Sequence, residues 1–141
     1  MVRGGGSRQE SVELGLNTLS NKVKLAAIHD GARPLITFEV MDRAIRAANT
    51  YGAAAPAIPV KDTIKTVEGG LVLNTPDRSK LRAVQTPQVF DIDLLKGALV
   101  KAKQDNAEVT GLMAYTVISS ACPVSIAEPN LESTLPVETA S

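Results

Sequence analysis

Residues 59–90, PVKDTIKTVEGGLVLNTPDRSKLRAVQTPQVF, decide how this chain is read. Their first half predicts a β-hairpin. Thr63-Ile64-Lys65-Thr66-Val67 is rich in β-branched residues, Glu68-Gly69-Gly70 is a turn, and Leu71-Val72-Leu73-Asn74-Thr75 runs back. Two glycines in succession supply the positive φ that a tight hairpin turn needs. The flanks are unusual for a plain hairpin. Asp62 and Thr63 stand at one base of the ribbon, and Asp77 and Arg78 stand at the other. Polar groups therefore converge where the strands leave the domain. Thr86-Pro87-Gln88 then interrupts an otherwise apolar run.

Working back from the hairpin, residues 53–60 are small and apolar and predict a strand buried on both faces. Before it, Thr37 is placed to cap a helix running to about Thr50. Val40, Ala44, Ile45 and Ala48 form its apolar face and Gly52 its stop. Lys24-Leu25-Ala26-Ala27-Ile28-His29 reads as a buried parallel strand. Asp30-Gly31-Ala32-Arg33-Pro34 follows at its carboxyl end, where ligands collect in open α/β sheets. Asp30 and Arg33 are equally readable as a simple loop ion pair. His29 reads as a packed strand-end histidine rather than a base. At the start, Gly4-Gly5-Gly6 leads to Ser7, which is placed to cap a helix with Glu10 three residues on. Val12, Leu14, Leu16 and Leu19 are its apolar face. Glycines ahead of a helix N-terminus expose N–H groups suited to an anion or nucleobase, but a flexible lead-in explains them as well. Beyond Phe90, Asp91 or Asp93 starts a further helix with Leu94, Leu95, Ala98, Leu99 and Ala102 inward and lysines in its last turn. This alternation predicts an α/β fold with a mainly parallel sheet and the hairpin as an excursion from it.

A length of 141 residues suits one domain with a real core. Fifteen basic and fifteen acidic residues cancel, so no electrostatic footprint for nucleic acid or an anionic membrane exists. The absence of tryptophan and scarcity of other aromatics argue against base-stacking platforms. No run reaches transmembrane length, and the opening residues lack the apolar core of a signal peptide. One cysteine, Cys122, cannot pair internally, which fits a reducing compartment.

PVKDTIK, TPDRSKL and QTPQVF, in this order and spacing, strongly resemble 2-C-methyl-D-erythritol 4-phosphate cytidylyltransferases of the non-mevalonate isoprenoid pathway. HDGARP at residues 29–34 fits the family's HD-x-ARP, and residues 4–12 fit its GG-x-x-R-x-x-SV, with Gly6 departing from the polar residue often found there. The resemblance implies a Rossmann-like nucleotide-diphospho-sugar transferase fold with a protruding hairpin arm at 59–78. It implies transfer of CMP from CTP to methylerythritol phosphate, with Mg²⁺ as cofactor. Gly5, Arg8, Ser11, Asp30 and Gly31 would lie by the nucleotide, and Asp30 by the metal. Arg33, Thr63, Arg78 and Thr86 would lie by the acceptor phosphate, with Thr63 and Arg78 the catalytic pair. For Arg78, an ion pair with Asp77 or Asp62 at the hairpin base stays open beside that role.

The likeness runs from about Val2 to Thr110. The family's opening strand and triphosphate-gripping glycine-rich loop find no match, so the fold is expected to be incomplete at its N-terminus. Gly111-Leu112-Met113 replaces an acidic pair, and residues 128–136 echo a closing segment without its lysine. The chain is thus expected to be a single partial domain, 1–141, with a divergent tail at 111–141, and to be inactive alone. A homodimer through the arm is expected, in the cytoplasm or, from a plant-type source, the plastid stroma. Ribitol-5-phosphate cytidylyltransferase and a non-catalytic dimerisation module are the alternatives.

Overall fold

The computed structural model describes residues 3–105 and the strand Val124–Ala127. In chain order these form α1 (Arg8–Leu16), β1 (Leu25–Ile28), α2 (Phe38–Tyr51), β2 (Ala53–Pro59), β3 (Thr66–Glu68) and β4 (Leu71–Asn74). A 3₁₀ turn (Arg78–Lys80), β5 (Arg82–Val84), β6 (Gln88–Asp91), α3 (Ile92–Gln104) and β7 (Val124–Ala127) follow.

β2 is the centre of the sheet. Its Ala53 and Ala54 pair with Phe90 and Val89 of β6 on one edge, and with Val124 and Ser125 of β7 on the other. Farther along, Ala57–Pro59 pairs with β5, so the chain from Arg82 to Asp91 runs antiparallel beside β2. The break between β5 and β6 is bridged by the Gln85 N–H, which donates to the Pro56 carbonyl at 2.8 Å. β6 is flanked on its far side by β1, also antiparallel.

The expected mainly parallel sheet is therefore corrected. Among the described strands only β2 and β7 pair in parallel. β1, β2 and β7 do share one direction, but β6 is inserted between β1 and β2. The reason is topological: the hairpin excursion returns the chain straight along β2, and a parallel neighbour needs a covering crossover.

Alternation along β2 divides the core between two faces. Ala53 and Ala55 face Leu16 of α1, Phe90, and Ile92, Leu95 and Leu99 of α3. Ala54 and Val89 face Ala44, Ala47 and Ala48 of α2. The sheet thus lies between α2 and the α1/α3 pair, in the α/β layering expected. Small alanines on β2 let helices approach closely on both sides.

Local signals mostly act as read. The Ser7 hydroxyl accepts the Glu10 N–H at 3.1 Å and caps α1. Asp91 caps α3 through the N–H groups of Asp93 and Leu94. Gly52 ends α2 at φ 85°. Three details differ. Thr37 occupies the cap position of α2 without a side-chain cap bond. Leu14 and Leu19 are exposed, because α1 ends at Leu16 and meets the core through Leu16 and Val12. Ile45 is also exposed, its expected place on the inner face of α2 being taken by Ala47. The tail differences at 111–113 and 128–136 lie outside the described residues.

The hairpin forms a separate two-stranded sheet. Its ladder is shorter than read, Thr66–Glu68 against Leu71–Asn74, with a register shift after Thr66. Gly69 and Gly70 form its loop at φ 56° and 82°. Positive φ at both loop residues gives the turn whose twist matches that of the strands.

Candidate functional site

The site is built where β1 ends beside β6. The Asp30 carboxylate stands between two guanidinium groups: Arg8 Nη2 at 3.4 Å from Oδ1, and Arg33 Nε at 3.9 Å from Oδ2. All three side chains remain substantially exposed, so these long pairs hold the groups in one region without locking them together. The Asp30–Arg33 pair was readable from sequence. Its joining to Arg8 was not readable from local sequence and followed only from the resemblance, which puts both by the nucleotide, because α1 and β1 are brought together by packing.

Backbone bonds fix the loop itself. The Asp30 N–H donates to Thr86 Oγ1 at 3.2 Å, and the Arg33 N–H donates to the Asp30 carbonyl at 3.0 Å. Thr86 is only 7% exposed and precedes a cis Thr86–Pro87 bond. The interruption of the apolar run by Thr86-Pro87-Gln88 thus brings a buried hydroxyl against the loop. Gly31 lies between Asp30 and Arg33, with nothing within 4 Å of where a β-carbon would stand.

At the start of α1 the N–H groups of Gly5 and Gly6 do not stand free. Gly5 N–H donates to Ser11 Oγ at 2.9 Å, and Gly6 N–H to Glu10 Oε2 at 2.6 Å. Ser11 Oγ in turn donates to the Ser7 carbonyl at 2.9 Å. Two of the three glycine N–H groups readable as an open anion site are thus taken by the chain's own side chains. Glu10 folds over Gly5, where an added β-carbon would sit 2.6 Å from Glu10 Cβ. Glycine is therefore required here by close approach.

Arg33 and Thr86 also line a cavity of about 370 Å³ with Gln85, Pro34, Ile36 and Val40. Sequence reading met Gln85, Pro34 and Val40 only as members of motifs or of a helix face, and gave none of them a place at the site. For Gln85 the available signals were its adjacency to Thr86 and its place at the head of QTPQVF.

Thr63 and Arg78 stand on opposite sides of the hairpin base, before β3 and after β4. Arg78 Nη1 donates to the Lys61 carbonyl at 2.8 Å, two residues before Thr63. No ion pair joins Arg78 to Asp62 or Asp77 among the described residues, so the ion-pair reading of Arg78 fails. Asp77 instead caps the 3₁₀ turn, accepting from Ser79 N and Ser79 Oγ at 3.0 and 2.8 Å. These donors, the Ser79 hydroxyl foremost, hold its carboxyl below the ordinary aspartate value. Within one chain, no hydrogen bond or ion pair connects the Thr63/Arg78 group to the Asp30 group among the described residues.

Two arginines beside a carboxylate, with a further arginine at the base of an exposed arm, suit the binding of phosphate groups. The family model for IspD, 2-C-methyl-D-erythritol 4-phosphate cytidylyltransferase, matches residues 1–127, past Thr110. The chain belongs to the 2-C-methyl-D-erythritol 4-phosphate cytidylyltransferase family.

The chain is 49% identical over 106 residues to the enzyme of that name from Caldanaerobacter subterraneus, covering 74% of this chain and 47% of the relative. It thus spans about half the length of the curated relatives it matches. In structure it is similar to the cytidylyltransferase of Thermus thermophilus (TM-score 0.78, 32% identity), over 96% of this chain and 65% of that one. It is likewise similar to the 4-diphosphocytidyl-2C-methyl-D-erythritol synthase of Anaerococcus prevotii (TM-score 0.82, 28% identity), over 96% and 63%.

Proposed function

We propose that this chain supplies the base-side and acceptor-side residues of a site that transfers CMP from CTP to 2-C-methyl-D-erythritol 4-phosphate. The observation that supports this most is Asp30 standing between Arg8 and Arg33 on a loop held by Thr86. In the reaction an acceptor phosphate oxygen forms a bond to the α-phosphorus of CTP. The bond from that phosphorus to the bridging oxygen breaks, and pyrophosphate leaves with the electron pair. No proton need be removed from an ionised phosphate, so the difficulty is charge: two anions meet and a third departs. Fixed cations answer it by positioning and electrostatic stabilisation.

Arg33, with Thr86 beside it, is assigned to the acceptor phosphate, and Gly5, Arg8, Ser11, Asp30 and Gly31 to the nucleotide. Thr63 and Arg78 are assigned as catalytic contacts to the acceptor phosphate, reaching it from the arm of a second copy. A homodimer through residues 59–78 follows from that assignment.

Magnesium takes one or two carboxylates and completes its shell with water and substrate phosphates. Asp30, a half-exposed carboxylate on the site loop, fits that requirement, although no cluster of three or more metal-ligating side chains occurs among the described residues. Asp30 would hold the ion, which when bound would neutralise phosphate charge. No helix among the described residues is long and apolar enough to cross a membrane. A cytoplasmic enzyme is the setting we propose, given a nucleotide substrate and one cysteine.

Calorimetric titration of the chain with CTP and Mg²⁺, with 2-C-methyl-D-erythritol 4-phosphate, and with ribitol 5-phosphate tests the proposal. CTP and methylerythritol phosphate are expected to bind, the latter more tightly than ribitol 5-phosphate. Tighter ribitol 5-phosphate binding would change the acceptor. Failure of both CTP and methylerythritol phosphate to bind would leave a dimerisation module and overturn the reading.

A further inference from the structure

We infer that His29 is the positioning residue of the Asp30–Arg33 loop: its imidazole N–H, bonded to the Arg33 carbonyl, sets where the Arg33 guanidinium meets an acceptor phosphate. The acceptor half of this inference rests on the function proposed above. His29 follows the last residue of β1, and its Nε2 lies 2.8 Å from the Arg33 carbonyl oxygen. A carbonyl only accepts, so the hydrogen of that bond sits on Nε2. Nδ1 is buried with no hydrogen-bond partner among the described residues. A buried N–H without an acceptor is rarer in folded proteins than an under-satisfied acceptor. The ring is therefore held as the tautomer with its hydrogen on Nε2.

Competing restraints on the loop are weak at this end. Thr86 Oγ1 fixes the entry, at the Asp30 N–H. The middle is unpacked: Gly31 and Ala32 are exposed, with open space where a Gly31 β-carbon would stand. The Arg33–Asp30 ion pair, at 3.9 Å between half-exposed side chains, adds little. The Arg33 N–H closes the turn onto the Asp30 carbonyl but leaves its own carbonyl to be oriented from outside. His29 does that. A planar guanidinium meets phosphate oxygens through two bonds at once, so a small shift of its backbone costs both.

The test uses two substitutions of different reach. The amide nitrogen of glutamine in His29→Gln can occupy the place of Nε2, whereas His29→Asn is too short. Long-range ¹⁵N–¹H NMR of the wild-type chain is expected to show the hydrogen on Nε2. His29→Asn is expected to raise backbone mobility at Gly31, Ala32 and Arg33 in ¹⁵N relaxation. It should weaken methylerythritol phosphate binding about tenfold, the order seen when a residue orienting a ligand-binding group is lost. CTP binding should weaken less than acceptor binding, because Asp30 keeps its bond to Thr86, and His29→Gln should restore loop order and most of the acceptor affinity. A hydrogen on Nδ1, an unchanged loop and acceptor Kd in His29→Asn, or equal loss in both folded variants would overturn the inference. A wild-type chain that binds no acceptor would sink the function proposed above and the acceptor half of this one. Loop order in His29→Asn would still decide whether the imidazole positions the loop.

Discussion

Asp77 shows how single polar residues are committed in this chain. It lies beside Arg78 in sequence, yet its carboxylate is turned to Ser79. The deprotonated form is the one those donors favour, so its value in the folded chain lies below the ordinary one. The sign follows: this contribution is present above the usual aspartate range and is lost as pH falls through the lowered value of Asp77. In Ser79→Ala the hydroxyl donor is gone, and Asp77 should titrate at higher pH. Side-chain carboxyl ¹³C shifts followed through a pH titration check this, and an unchanged midpoint would show that the hydroxyl bond carries nothing. Arg78, freed from its sequence neighbour, spans the hairpin base to the Lys61 carbonyl.

At the scale of elements, α3 and the hairpin differ in what they tolerate. Leu95 on α3 is fully buried against Phe90 and Leu99, so Leu95→Ala leaves a cavity in a packed cluster. The expected cost is about 2–5 kcal/mol in denaturant unfolding. A loss below about 1 kcal/mol would mean that α3 settles into the gap. The hairpin is the opposite case. Every residue of β3 and β4 is exposed, so the ribbon adds little to the core within one chain. Gly70→Val forces a β-branched residue to φ 82°. It should reduce amide-exchange protection at Leu71–Asn74 while leaving the global unfolding midpoint nearly unchanged. A large global loss would place the hairpin in the same cooperative unit as the sheet.

For the whole molecule, the exposed hairpin carries the argument. Val67, Leu71, Val72 and Leu73 are each more than half exposed, and Leu71 reaches 73%. A two-stranded ribbon with such side chains is marginal in water by itself. A second copy of the chain is the surface proposed for it, and a two-fold assembly is the commonest closed form. Sedimentation equilibrium should therefore show a dimer, and the double substitution Leu71→Asp/Leu73→Asp should yield a folded monomer. A wild-type monomer at high micromolar concentration would remove the proposed second chain from the site. It would also leave Thr63 and Arg78 without a route to the Asp30 loop that the single chain shows.

What the sequence by itself determined here is mostly local. Ser7, Asp91 and Gly52 mark helix ends because a cap or a left-handed residue acts within one turn. Gly69 and Gly70 specify the hairpin loop for the same reason, and the alanine-rich β2 announces burial on both faces. The motifs around Asp30, Arg33, Thr63 and Arg78 were also legible, because their residues are close in sequence. Strand direction was not. Whether β1 and β2 touch or admit β6 between them depends on where residues 82–91 return, about thirty residues after β2 begins. The approach of Arg8 to Asp30 was implied only by the family resemblance, and the contact of Thr86 with the Asp30 amide not at all. Those pairings join segments separated by tens of residues. They are decided when both faces of one sheet are buried at once, a condition that no local window of sequence contains.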